Sequence, residues 1–288
     1  MSALPRSFAL AGFLPPEQAV KRGRKFRRLM IGTEGEANTG KTEFGWSAPG
    51  PIQMLALDRN FDGTLDNPNP PPSRSDALAI NSIDFPGFTQ SYDPSAFKPY
   101  WQEFYKCYVS ALENPDSRTV FLDGDSDSYE LQRLAAFGTL TNVKGPVGLV
   151  YTEVNAARRI MYRRAWDSGK IFIATNKVKA EYADVLDASG KQVMDDRGTP
   201  KRAKSGQMAR QGWDDYEFLW HIQLRHVYKG PVYNRITGTT SEPQFGIKIL
   251  MCKANKSLEG DELWGADCNF KSLVEYVYPQ VPLSEWGF

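Results

Sequence analysis

The stretch Gly35-Glu36-Ala37-Asn38-Thr39-Gly40-Lys41-Thr42 constrains this 288-residue chain more than any other. Its two glycines stand five apart, and the second is followed at once by Lys and Thr. Glycine at both ends lets the backbone turn tightly enough for successive N–H groups to point at one anion. A loop of this kind works only between a strand and a helix, and both flanks fit. Arg27-Arg28-Leu29-Met30-Ile31 reads as a strand, and Thr42-Glu43-Phe44-Gly45-Trp46 as the first turn of a helix. The pattern is that of a phosphate-binding P-loop, in which Lys41 reaches the β- and γ-phosphates and Thr42 offers its hydroxyl to Mg²⁺. The candidate binding set is Gly35, Glu36, Ala37, Asn38, Thr39, Gly40, Lys41, Thr42 and the adjoining Glu43.

The rest of the chain alternates strands with helices. Pro51–Asp58, Ala79–Phe85, Arg118–Asp123, Lys170–Thr175, Glu217–Tyr228 and Phe245–Cys252 read as strands. Ser95–Glu113, Tyr129–Phe137 and Val154–Trp166 read as helices, and a short helix follows Leu273. Such alternation implies an α/β fold with a mostly parallel central sheet, flanked by helices and extended by antiparallel strands near the C-terminus. Residues 1–23 read as an irregular arm and 24–288 as the folded domain, with 176–215 a mobile basic loop inserted in it. The aromatics of Trp101–Tyr108 fit the buried face of a helix, His221 a hydrogen-bonded structural role, and Cys252 the core.

Composition narrows the function. Thirty-five Lys and Arg against 34 Asp and Glu leave a net charge of +1, so any nucleic-acid site is a local patch. Three scattered cysteines and two histidines argue against disulfides and zinc, and no apolar run spans a bilayer. A cytoplasmic protein without a membrane partner is expected. Val120-Phe121-Leu122-Asp123 supplies the second acid of a P-loop site: an apolar strand ending in a carboxylate that supports Mg²⁺ beside Thr42.

With these residues assembled, the chain resembles the RecA-like P-loop ATPases of the AAA group, in particular phage-encoded ones acting in DNA recombination and single-strand annealing. The resemblance rests on Gly35–Thr42, on Asp58 at the next strand's end, on Asp123-Gly124-Asp125-Ser126, and on Thr175-Asn176 after the following strand. It implies ATP and Mg²⁺ as ligands, Lys41, Asp58, Asp123, Thr175 and Asn176 as the catalytic set, and a site in the host-cell cytoplasm. Asp58 would activate water where the family carries Glu, with Asp62 a nearby competitor; Thr175 and Asn176 would sense the γ-phosphate. Lys253 and Lys256 resemble basic residues that such proteins project into a neighbouring subunit's site, which implies a ring or filament of identical subunits.

The family holds DNA in loops after the sensor strand, where this chain carries Arg197, Lys201, Arg202, Lys204 and Arg210 with no acid among them. Tyr182 and Trp213 flank these residues and suit stacking on bases. Single-stranded DNA is the expected partner, with a single-strand-binding protein as a further one. Two other readings stand beside this one. A P-loop small-molecule kinase would use the basic segment as a lid, and a non-hydrolysing DNA-binding subunit would hold nucleotide as a static ligand.

Overall fold

A computed structural model describes residues 27–57, 61–66, 73–75, 77–82, 93–138, 147–187, 190–194, 200–213, 217–231, 233–234 and 239–288. The arm, Asp58 and Arg197 lie outside the described residues. The strands are β1 (Leu29–Gly35), β2 (Ile52–Ala56), β3 (Leu78–Ser82), β4 (Thr119–Asp123), β5 (Ile171–Asp184), β6 (Arg202–Arg210), β7 (Ile222–Lys229), β8 (Tyr233–Asn234), β9 (Thr239–Thr240), β10 (Gln244–Cys252) and β11 (Glu262–Trp264). The helices are α1 (Lys41–Trp46), α2 (Phe61–Leu65), α3 (Pro94–Glu113), α4 (Asp125–Phe137), α5 (Val147–Ser168), α6 (Phe270–Val277) and α7 (Leu283–Trp286).

The main sheet runs β3-β2-β4-β5-β1-β7-β10-β11. Its first six strands are parallel, and β10 and β11 join antiparallel. The expected α/β architecture with a C-terminal antiparallel extension is therefore present. Parallel strands are covered by helices on both faces and so lack alternation. Every residue of β1 and β4 is buried. Alternate residues nevertheless serve different cores. Leu29 and Ile31 pack with Phe44, Trp46, Phe270 and Leu273 beneath α1 and α6. Met30 packs with Phe97, Phe104, Tyr108, Leu131 and Tyr162 beneath α3, α4 and α5. The aromatics expected on the inner face of α3 are there, with Phe104 and Tyr108 wholly buried. α3 begins where Asp93 accepts from the Ser95 amide at 2.9 Å and Pro94 opens the first turn.

Strand β5 separates β1 from β4. The chain goes from β1 to strands on one side and later returns through β7 on the other. The crevice at the carboxyl end of β1 is thus a switch point, where ligands bind in sheets of this kind.

Three expectations need correction. The first concerns 176–215, expected as a mobile loop. β5 runs on through Asp184, and its outer half pairs antiparallel with β6, from Val178 opposite Arg210 to Asp184 opposite Arg202. Further bridges join Leu186 to Gln192 and Met194 to Pro200. The described residues of the segment form a β-ribbon. The second concerns β7, which starts at Ile222; Glu217–Leu219 forms a 3₁₀ turn instead. His221 sits just before the strand, where its Nδ1 accepts from the Met30 amide at 2.9 Å, the structural role expected of it. The third concerns α5, which begins at Val147 rather than near Val154. Among the described residues, no helix is long and apolar enough to cross a membrane.

Candidate functional site

The loop between β1 and α1 has the backbone its glycines allow. Gly40 takes φ +88° and Asn38 φ +59°, both left-handed. A Cβ on Gly35 would lie 2.7 Å from Thr39 Oγ1 and 3.0 Å from the Cβ of His226, so only glycine fits there. Thr39 Oγ1 donates to the Glu36 carbonyl at 2.9 Å and closes the loop on itself. Gly40 caps α1 with no side-chain acceptor, which leaves the amides of the first turn directed at the cleft.

Lys41 bends back over this loop. Its Nζ donates to the Gly35 carbonyl at 3.0 Å and to that of Glu36. Below it lies His226, which is buried, edge-on to Phe44, and pushed down to about 3 by burial and then by the Lys41 charge. The imidazole is therefore neutral, and Lys41 carries the positive charge of the loop itself.

Thr42 meets the strand-end acid. Its Oγ1 donates to Asp123 Oδ2 at 2.8 Å, and Thr175 Oγ1 donates to Asp123 Oδ1 at 2.6 Å. Thr175 in turn accepts from the Gly124 amide at 2.9 Å. Three segments that are far apart in sequence are thereby joined at one buried carboxylate, with hydroxyls on both of its oxygens. The cleft of about 430 Å³ that they enclose is lined by Gly35–Glu43, Thr64, Asp123, Gly124, Thr175, Asn176, Lys177, Val178 and Gln211. Lys41, Thr42, Asp123, Thr175 and Asn176 thus come together, along with the whole loop.

Further residues complete the site, and sequence reasoning missed Arg74, Lys177, Gln211 and Arg225 among them. Arg74 forms a two-pronged pair with the Glu43 carboxylate and donates to the Thr64 carbonyl at 2.9 Å, which pins the side chain following Thr42. Ser126 Oγ donates to the Gln211 carbonyl at 2.8 Å, lies 3.3 Å from Asn176 Oδ1, and accepts from the Lys177 amide at 3.0 Å. Lys177 and Gln211 are the two feet of the ribbon, joined by Gln211 N donating to Lys177 O at 2.7 Å. The ribbon is thus bonded to the turn after Asp123. Arg225 ties its base to β1, donating to Glu34 at 2.8 Å and to the Met208 carbonyl at 3.0 Å. Ser126 was legible as part of the strand-end motif; Arg74 had no local signal.

The expected DNA-contacting residues fare unevenly. Lys201 and Lys204 are exposed on the ribbon. Arg210 donates to the Trp213 carbonyl at 2.6 Å and belongs to the ribbon's foot. Trp213 is buried and stacked on Tyr162 at 5.9 Å, so it packs the core where stacking on bases was expected. Tyr182 is exposed. The ribbon also carries Glu181 and Asp184, the latter opposite Arg202, so its charge is mixed. Lys253 and Lys256 follow the end of β10 beside Ile222, at the edge of the sheet opposite the loop. Lys253 Nζ donates there to the Phe218 carbonyl at 2.8 Å. They do not line the Gly35–Thr42 cleft.

No protein-family model matches this chain, and no curated protein matches its sequence.

Proposed function

We propose that this chain is a RecA-like P-loop ATPase that binds ATP in the Gly35–Thr42 cleft, hydrolyses it, and acts on single-stranded DNA in phage-type recombination, annealing or replication. One observation carries the reading: the P-loop hydroxyl of Thr42 and the strand-end carboxylate of Asp123 meet at 2.8 Å across a cleft lined by the loop. A glycine-rich surface loop without a ligand would not need a buried acid at that point. The strand order supports it further, since the acid's strand is separated from β1 by β5, whose end supplies Thr175 and Asn176.

The residues fit the ligands the reading requires. Mg²⁺ takes hard oxygen donors, usually one or two carboxylates, and keeps several waters. Thr42 and Asp123 offer that set, and no group of three His, Cys, Asp or Glu suited to a metal occurs among the described residues. Thr42 and Asp123 would hold the ion, which would supply positive charge against that developing on the phosphate chain. The chain's own part is orientation. Lys41 exchanges its loop carbonyls for phosphate oxygens, the loop amides hold the phosphate chain, and Thr175 keeps Asp123 aimed into the cleft. Activation of water falls to Asp58 by the resemblance alone.

One observation favours the alternative of a static nucleotide. Asp123 is held by two hydroxyls and Glu43 by Arg74. Glu36, the other carboxylate lining the cleft among the described residues, is exposed on the loop. The discriminating experiment measures phosphate release from ATP with and without single-stranded DNA, using Lys41→Ala as control. DNA-stimulated release that vanishes in the variant is expected. Tight ATP binding without release would favour the static role, release requiring a small-molecule acceptor a kinase, and ATP binding unaffected by Lys41→Ala would remove the site assignment.

A further inference from the structure

Two large aromatic side chains stand in water beside the loop. Phe245 and Tyr228 are opposite partners on β10 and β7, their ring centroids 5.2 Å apart and inclined by 41°. They are 41% and 48% exposed. Phe245 also lies beside the loop: a Cβ on Gly40 would stand 3.5 Å from its Cδ1.

We infer that Phe245 and Tyr228 form a stacking platform for the base of a purine nucleotide whose phosphates lie in the Gly35–Thr42 cleft. The inference rests on the nucleotide reading above and extends it to the base. Topology gives the direction. Asp123 and Thr175, which mark the reacting end of the phosphate chain, are on β4 and β5, to one side of β1. The other end of the nucleotide leaves on the opposite side, where β7 and β10 lie. Continuity gives the path. A second cleft of about 1120 Å³, bordered by Phe245, shares Asn38, Gly40 and Glu43 with the phosphate cleft. Asn269 and Ser272, at the start of α6, also line it. Chemistry gives the occupant. Every base has a π-face that stacks on an aromatic ring, and the two fused rings of a purine give it the larger face.

The test separates base from phosphate. ATP and inorganic tripolyphosphate, each with Mg²⁺, are titrated calorimetrically into the wild type, Phe245→Ala, Phe245→Leu and Tyr228→Ala. Phe245→Leu keeps an apolar side chain beside Gly40 while removing the ring. Loss of Phe245 is expected to weaken ATP about tenfold or more, with Phe245→Leu and Tyr228→Ala shifted the same way and tripolyphosphate unchanged. ATP affinity unchanged in Phe245→Ala would overturn the inference. So would ATP and tripolyphosphate weakening together, because Phe245 would then only shape the loop. Failure of the underlying nucleotide reading has a different signature: a wild type that binds neither ligand, or a Lys41→Ala variant that binds both as tightly.

Discussion

The closeness of α1 to the sheet is tested by adding one methyl group. Gly45 lies three residues after Thr42, and a Cβ there would stand 2.4, 2.5 and 2.6 Å from three ring carbons of Phe121. Carbon atoms pack best at about 3.5–4.0 Å, so helix and ring must part by roughly 1 Å. Phe121 is wholly buried in β4, between Val120 and Leu122. Overpacking costs about 1–3 kcal/mol, and with three ring carbons inside 3 Å the upper part of that range, about 2–3 kcal/mol, applies, while alanine returns about 1 kcal/mol of helix propensity. Gly45→Ala should therefore lose about 1–2 kcal/mol, a fall in Tm of about 2–8 °C. The functional consequence follows from the same displacement. A shift of about 1 Å carries Thr42 Oγ1 out of hydrogen-bond range of Asp123, so ATP affinity falls as well. Thermal unfolding and ATP titration of Gly45→Ala and of Gly45→Ala/Phe121→Leu measure both effects. The smaller leucine should restore much of what alanine removes. A Gly45→Ala protein as stable as wild type, or a double variant whose losses simply add, would refute the packing argument.

Other residues give independent checks. Arg158 and Asp125 form a buried ion pair with Ser128 between α4 and α5, so Arg158→Leu strands a carboxylate and should cost about 3–5 kcal/mol in chemical denaturation. His221 is pushed down to about 4 by burial, then by Arg28 and Lys253, and His226 to about 3 by burial, then by Lys41. Both are neutral when folded, so the unfolded chain binds more protons between pH 6.5 and about 4. Stability present above pH 6.5 is lost as pH falls through that window, by up to about 1.4 kcal/mol per pH unit for each group, and His221→Asn should flatten the slope. On the ribbon, Lys201→Ala/Lys204→Ala should weaken single-stranded DNA binding and reduce its logarithmic salt slope by about 1.4, whereas an unchanged slope would remove DNA from this surface. Ser126→Ala breaks the link between the Asp123 turn and the ribbon's feet; it should spare ATP binding while reducing stimulation of release by DNA.

What was legible in the sequence follows from how each element is buried. β1 and β4 are covered on both faces, so Leu29-Met30-Ile31 and Val120-Phe121-Leu122 read as unbroken apolar runs, and Asp123, directly after the second run, lines the cleft. The loop was legible because its left-handed Gly40 and crowded Gly35 tolerate little else. The ribbon failed for the converse reason. Ala203 to Gln207 are exposed, and a strand buried on neither face has no reason to alternate, so its pattern is that of a loop. Its order comes from backbone pairing with β5 and from hydrogen bonds at its feet, neither of which leaves a mark on side-chain periodicity. Arg74 and Arg225 illustrate the same limit. Each clamps a carboxylate next to the loop, Glu43 and Glu34 respectively, across separations in sequence that no local spacing encodes. The aromatic pair Phe245 and Tyr228 was masked differently: both residues suit any strand, and only the register of β10 on β7 brings them side by side at the mouth of the loop. The parts of the site that bind phosphate are thus written locally, as a motif and a strand end. The parts that would read a base or couple to DNA depend on strand order, and become visible only when β7 and β10 are set on one side of β1 and the ribbon on the other.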